Sequence, residues 1–148
     1  MKNGIQIISS PLPLLLVVTA IIVLGVTGNL FSLSPIVIAI QVAAVALNLW
    51  ARISFHRGTF RVTAAPAGTS IIRNGPYRFI RHPMYSAVLL FIWAGIANHL
   101  SAFTLAIGVA ATALCILRVF VEERLLRATY TGYQDYAGST RALIPFVF

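Results

Sequence analysis

The sequence predicts an all-α polytopic membrane protein with about four transmembrane helices, an interfacial cytoplasmic loop and a C-terminal amphipathic helix. Three observations carry this. The 148 residues are 59% hydrophobic and only 9% charged, far below the roughly one quarter charged of soluble domains. Four apolar runs approach the roughly twenty residues that a bilayer core requires. The basic residues avoid two of the three connections between those runs, the pattern of loops kept on the cytoplasmic side.

The first run spans residues 12–31 and contains no charge. It continues to Leu33, which is too long for the apolar part of a signal peptide, and no clear small-residue cleavage site follows. The second run, Pro35 to Ser54, opens on a proline, which suits a first helical turn because no hydrogen bond is lost there. The third runs from Pro83 to Ala97 and the fourth from Ala102 to Phe120. The segments "GNLFSLS" and "NHLS" are uncharged turns. Arg52, Arg57, Arg61, Arg73, Arg78 and Arg81 lie at or between runs two and three; Arg118, Arg124, Arg127 and Arg141 close run four or follow it. With Lys2 ahead of run one, four crossings with both termini cytoplasmic satisfy the positive-inside rule.

The expected organisation is a single membrane domain, 1–148. A transmembrane hairpin (1–55) is followed by a cytoplasmic interfacial loop (56–82), a second hairpin (83–121) and a cytoplasmic C-terminal segment (122–148). Gly58, Pro66 and Gly68 break the mixed segment 55–74, which is too polar to span. Residues 122–136 read as an amphipathic helix, with Arg118–Glu122 and Glu123–Arg127 each four apart. Gly132 and Gly138 interrupt it, and Pro145 stops any helix at the end.

Charge and cysteine content exclude other classes. The formal charge of +8 sits between apolar runs, so it reads as topology and not as nucleic-acid binding. The single cysteine, Cys115, forbids an internal disulfide and a cysteine metal cluster. No zinc motif and no phosphate-binding glycine loop is present, so neither a metal nor a nucleoside triphosphate is expected.

The polar chemistry gathers in two stretches. The first is "RNGPYRFIRHPMYS", residues 73–86. Pro83 starts a helix and holds His82 out of helical geometry at its cap. The free N–H groups of that first turn favour an anion, and Arg81 can grip a carboxylate with two hydrogen bonds. A topology-setting arginine with interfacial His82 and Tyr85 explains the same residues without function. The second stretch is "RVFVEERLLRATYTGYQDY", residues 118–136, with two of the three acidic residues at a membrane boundary. Glu122 and Glu123 point about 100° apart on a helix, so one is expected to pair with arginine and the other to face a cationic ligand. Simple pairing within the helix to Arg118 and Arg127 is the plainer account, and it weighs more for Glu123 than for Glu122.

"RNGPYRFIRHPMYSA", followed after a hairpin by "EERLLRATYTGYQDYAGSTRALIP", resembles the isoprenylcysteine carboxyl methyltransferase family of membrane enzymes and its phospholipid N-methyltransferase relatives. The likeness covers residues 50–145, about two thirds of the chain, and the two motifs in this order are specific. Ala87 departs from the family's usual glycine, and Thr131 from a common aromatic. The resemblance implies S-adenosylmethionine bound at the cytoplasmic face and a lipophilic small molecule or lipid arriving from the bilayer. It assigns Arg81, His82, Pro83, Tyr85, Glu122, Glu123, Tyr133 and Tyr136 to the cofactor. Leu126, Gly132, Arg141 and Pro145 also match. An arginine suits the cofactor's carboxylate, a glutamate its ammonium, and tyrosine faces its adenine or sulfonium.

Aligning nucleophile and methyl group is the main task in such a transfer. A carboxylate acceptor needs no base, and Arg118, Arg124 or Arg141 would position it. An amine or thiol must lose a proton, which makes Glu122 or His82 the candidate base. Glu122, Arg118 and Arg141 are the candidate catalytic residues. His56 reads as a loop residue, His99 as an external cap, Trp50 and Trp93 as anchors or packing residues, and Asn48 as an interhelical hydrogen bond.

Two other readings compete. The C-terminal pattern is loosely similar to that of sterol reductases, which use NADPH but are generally longer. A non-catalytic scaffold would bind anionic headgroups with its basic loop, and would tolerate Arg81→Lys. The methyl acceptor and the oligomeric state are not readable. The expected location is the inner membrane of a prokaryote.

Overall fold

The computed structural model describes residues 11–54 and 71–143. Among them are five α helices, one 3-10 turn and no strand beyond an isolated parallel bridge between Ile80 and Arg141. The helices are α1 (Leu12–Val26), α2 (Pro35–Ser54), α3 (Pro83–Asn98), α4 (Ala102–Thr129) and α5 (Tyr133–Ser139), with the 3-10 turn at Gly75–Arg78.

Local chemistry sets the boundaries. Pro83 stands in the first turn of α3 behind a non-helical His82. At α4, Ser101 Oγ accepts the Thr104 N–H while Thr104 Oγ1 accepts the Ser101 N–H, a capping box that satisfies two orphan donors. Gly132 takes a left-handed conformation (φ 82°) ahead of α5, which separates α5 from α4.

Length divides the four expected spans into two groups. Among the described residues, two helices, α2 and α4, of 20 and 28 residues, are long and apolar enough to cross a bilayer. Helix α1 has 15 residues and α3 has 16, so each rises about 22–24 Å against a hydrocarbon core of about 30 Å. Helix α4 rises about 42 Å, and the charged segment after residue 121 continues it. The expected amphipathic helix over 122–136 is therefore divided between the end of α4 and the separate α5. Arg118–Glu122 and Arg127–Glu123 pair within α4, as their spacing predicts. Most of segment 55–74, including His56, Arg57 and Arg61, lies outside the described residues, as does Pro145.

Helix α2 packs on α3, α1 on α4, and α3 on α4. Val17, Leu24, Leu30, Ile92, Ile96, Ala111 and Cys115 form the core. The two uncharged turns meet at one end, where His99 Nε2 lies 2.9 Å from the Phe31 carbonyl. Gly95 allows this approach: a Cβ there would run into the Leu30 carbonyl. The outside is apolar. Only 22% and 33% of the most apolar windows of α2 and α4 are buried, unlike the core helix of a soluble protein.

Polar side chains within the apolar layer are used for packing. Gln41 donates to the Leu30 carbonyl at 2.8 Å, and Trp93 Nε1 donates to Thr112 at 3.0 Å. Asn48, expected to bond between helices, instead accepts from Arg52 one turn later in α2. Gln41 has that role towards the α1–α2 turn.

Candidate active site

At the opposite end from the uncharged turns, the start of α3 meets the end of α4, and α5 closes over both. The two polar stretches of the sequence come together here. His82 is buried, with Nδ1 3.4 Å from Glu122 Oε2 and Nε2 3.0 Å from Glu123 Oε1. Both glutamates therefore reach one imidazole, although their positions on α4 diverge. Glu123 also pairs with Arg81 ahead of α3, the half of the expected division of labour that holds the loop.

Glu123 is the more heavily engaged. Its Oε1 accepts from Arg81 Nε at 2.7 Å and from Tyr133 Oη at 2.9 Å, and Arg127 contacts Oε2 at 3.4 Å. Glu122 accepts from Tyr85 Oη at 2.6 Å and from Arg118 Nε at 3.2 Å. Arg118 Nε also donates to Tyr85 Oη at 2.6 Å. The Arg118 side chain is only 4% exposed, so its charge is balanced by Glu122 inside the protein and not by water. The Glu122 side chain is 18% exposed and that of Glu123 is 11%, so Glu122 is the more accessible carboxylate.

Arg81 is committed to the chain itself. Besides Glu123, its Nη1 donates to the carbonyls of Ala137, at 2.8 Å, and Thr140. The backbone continues the latch: Arg81 N–H donates to Arg141 O, His82 N–H to Ala142 O, and Ser86 Oγ to Leu143 O. Three consecutive carbonyls thus face the segment that opens α3, where a ligand anion was expected, and they complement its positive end. Tyr136 Oη donates to the Tyr77 carbonyl at 2.7 Å, and the Arg73 guanidinium lies 5.4 Å from the Tyr136 ring centre.

The sequence-derived residues thus divide into groups. His82, Tyr85, Arg118, Glu122, Glu123, Arg81 and Tyr133 form one connected network. Pro83 shapes the helix start. Tyr136 is buried against the 3-10 turn and Tyr133, with its phenol pushed up to about 12 by burial. Arg141 enters through its backbone, while its side chain is exposed. Arg124 is also exposed. Ser86, Thr140 and Leu143, which were not singled out in the sequence, hold the C-terminal segment. The phrase "STRALIP" was a signal for that latch, but it does not say which carbonyl meets which donor.

A family model described as phospholipid methyltransferase matches residues 31–132, more than half of the chain. No curated protein and no solved structure matches. The match begins ahead of the motif-based likeness at Trp50 and ends before α5. It contains His82, Tyr85, Glu122 and Glu123, and it leaves the latch residues 133–143 outside.

Proposed function

Since the chain belongs to the phospholipid methyltransferase family, we propose that it transfers methyl groups from S-adenosylmethionine to a lipophilic acceptor, an amine-bearing phospholipid foremost. The observation that carries this reading is the paired-glutamate network at one end of an apolar helix bundle, inside the matched region. Family membership favours methyl transfer over the NADPH and scaffold readings, and favours a phospholipid amine over the carboxyl of a prenylated cysteine.

The residues suit the methyl donor in part. Glu122 Oε2 lies at ion-pair distance from His82, 3.4 Å, and Glu122 is the more exposed carboxylate; it is the place for the donor's ammonium. Arg81 is occupied by Glu123 and two carbonyls, so it supports the site and does not grip the donor's carboxylate. Tyr133, fully buried on Glu123, likewise supports the site. When bound, S-adenosylmethionine would supply an electrophilic methyl group. An ammonium acceptor has to lose a proton before it can attack the methyl group. In this reading α1 to α4 all cross the membrane, with the arginine-rich end and both termini on the cytoplasmic side.

Two measurements test the proposal. Calorimetry in detergent should show S-adenosylmethionine binding to wild type and weaker binding to Glu122→Gln. Isotope-labelled cofactor should pass its methyl group into phospholipid extracted from vesicles rich in amine headgroups. Wild type that neither binds nor transfers overturns the reading; equal binding by Glu122→Gln overturns the assigned residue.

A further inference from the structure

A neutral imidazole carries one N–H and one bare lone pair. His82 has a carboxylate oxygen against each ring nitrogen, Glu122 Oε2 at 3.4 Å and Glu123 Oε1 at 3.0 Å. In either neutral tautomer one lone pair would point at an acceptor. Only the doubly protonated ring donates at both edges. We propose that His82 is an imidazolium strut at neutral pH, a positioning residue that ties the two neighbouring carboxylates into one site and neither accepts the reaction's proton nor contacts the methyl donor.

The surroundings agree. Backbone geometry fixes the ring's origin: His82 N–H is bound to the Ala142 carbonyl, and Pro83 follows. Five groups of charge or hydrogen-bonding capacity approach the cluster from the packed elements. Arg81 precedes His82 and is bound to Glu123; Arg118 on α4 is bound to Glu122 and to Tyr85. Tyr85 on α3 has its ring centre 5.9 Å from that of His82, and Tyr133 on α5 donates to the Glu123 oxygen that faces His82. Arg127 reaches the far oxygen of Glu123. Each arginine is thus matched to one of the two carboxylates, and the imidazolium lies between both.

Burial alone would push the His82 ring towards its neutral form. The flanking carboxylates, Glu122 first and then Glu123, outweigh it, so the ring's proton affinity is raised above the ordinary value of about 6.5. The sign follows from linkage. A group with raised affinity in the folded state stabilises it fully below the unfolded value, and that contribution is lost as pH rises through the folded value. The strut therefore weakens on the alkaline side. Resting on the methyltransferase reading, activity should fall in the same window, because Glu122 loses one of the groups that aim it.

The chain has three histidines, so His56→Gln with His99→Gln leaves His82 as the only imidazole. Nitrogen-15 spectra of that double variant in detergent need no change at His82. Both ring nitrogens should be protonated at neutral pH, with a midpoint above the ordinary value. Adding Glu123→Gln should move the midpoint down. A neutral tautomer at neutral pH, or a midpoint at or below the ordinary value, overturns the strut. Methyl transfer by the same sample separates the two ideas: a doubly protonated ring without methyl transfer supports the strut and removes the reading of function.

Discussion

Arg81 shows how a residue's role depends on partners distant in sequence. Its Nε reaches Glu123, 42 positions away, and its Nη1 reaches the carbonyls of Ala137 and Thr140. A lysine ammonium is a single point of charge and cannot span these three acceptors. Arg81→Lys should therefore lower stability by about 1.5–3 kcal/mol, the worth of a hydrogen bond to a charged group, read as a lower midpoint of thermal unfolding in detergent. This holds for an enzyme and for a scaffold alike, so the substitution does not separate those readings. Tyr133→Phe removes one bond to Glu123 and leaves Arg81 and His82 in place, so its loss should be smaller than that of Arg81→Lys. A larger loss would mean that Tyr133, and not Arg81, organises Glu123. The identity of the residues in this cluster was legible from the two motifs. Their pairing was not, because residue type and spacing within α4 predict only the bonds to Arg118 and Arg127. Nothing local to the sequence says that one imidazole serves both glutamates.

At the scale of elements, the starts of α2 and α3 were readable because proline acts locally, whereas the Ser101 cap of α4 was not singled out. The ends were less so. Helix α4 runs past its apolar stretch because no breaker intervenes before Gly132, and charge alone does not stop a helix. Close helix approach was also hidden, since it depends on what lies opposite a glycine. Gly95 and Gly25 make the contrast testable. A Cβ on Gly95 would overlap the Leu30 backbone, whereas on Gly25 the nearest atom is a Leu30 methyl at 3.8 Å, an ordinary contact. Gly95→Ala should thus cost about 1–3 kcal/mol through overpacking. Gly25→Ala should be neutral or gain up to about 1 kcal/mol from helix propensity. Equal effects in thermal unfolding would show that the α1–α2 turn does not bear on α3.

On the scale of the whole molecule, the bundle has two chemically distinct ends. The turns at Phe31 and His99 meet at the uncharged end, while Glu122, Glu123, Arg81 and the exposed Arg73, Arg78 and Arg124 collect at the other. This asymmetry is the structural counterpart of the charge pattern in the sequence, and it predicts orientation. What length alone leaves open is whether α1 and α3, at 15 and 16 residues, cross with α2 and α4. Their packing gives a physical reason to expect that they do. Helix α3 is buried between α2 and α4, and α1 lies along α4, so a bilayer that accommodates the longer helices must also surround the shorter ones, thinning locally or drawing in flanking residues. Cysteine labelling decides the matter. With Cys115 replaced by alanine, single cysteines at Leu33, Leu100 and Ser139 place a reporter in each uncharged turn and one at the end of α5; all three positions are exposed. Four crossings require positions 33 and 100 to react with an impermeant reagent from outside intact cells, and position 139 to react only after permeabilisation. If 33, 100 and 139 all react from the same side, the helices lie in the interface and the transmembrane arrangement fails.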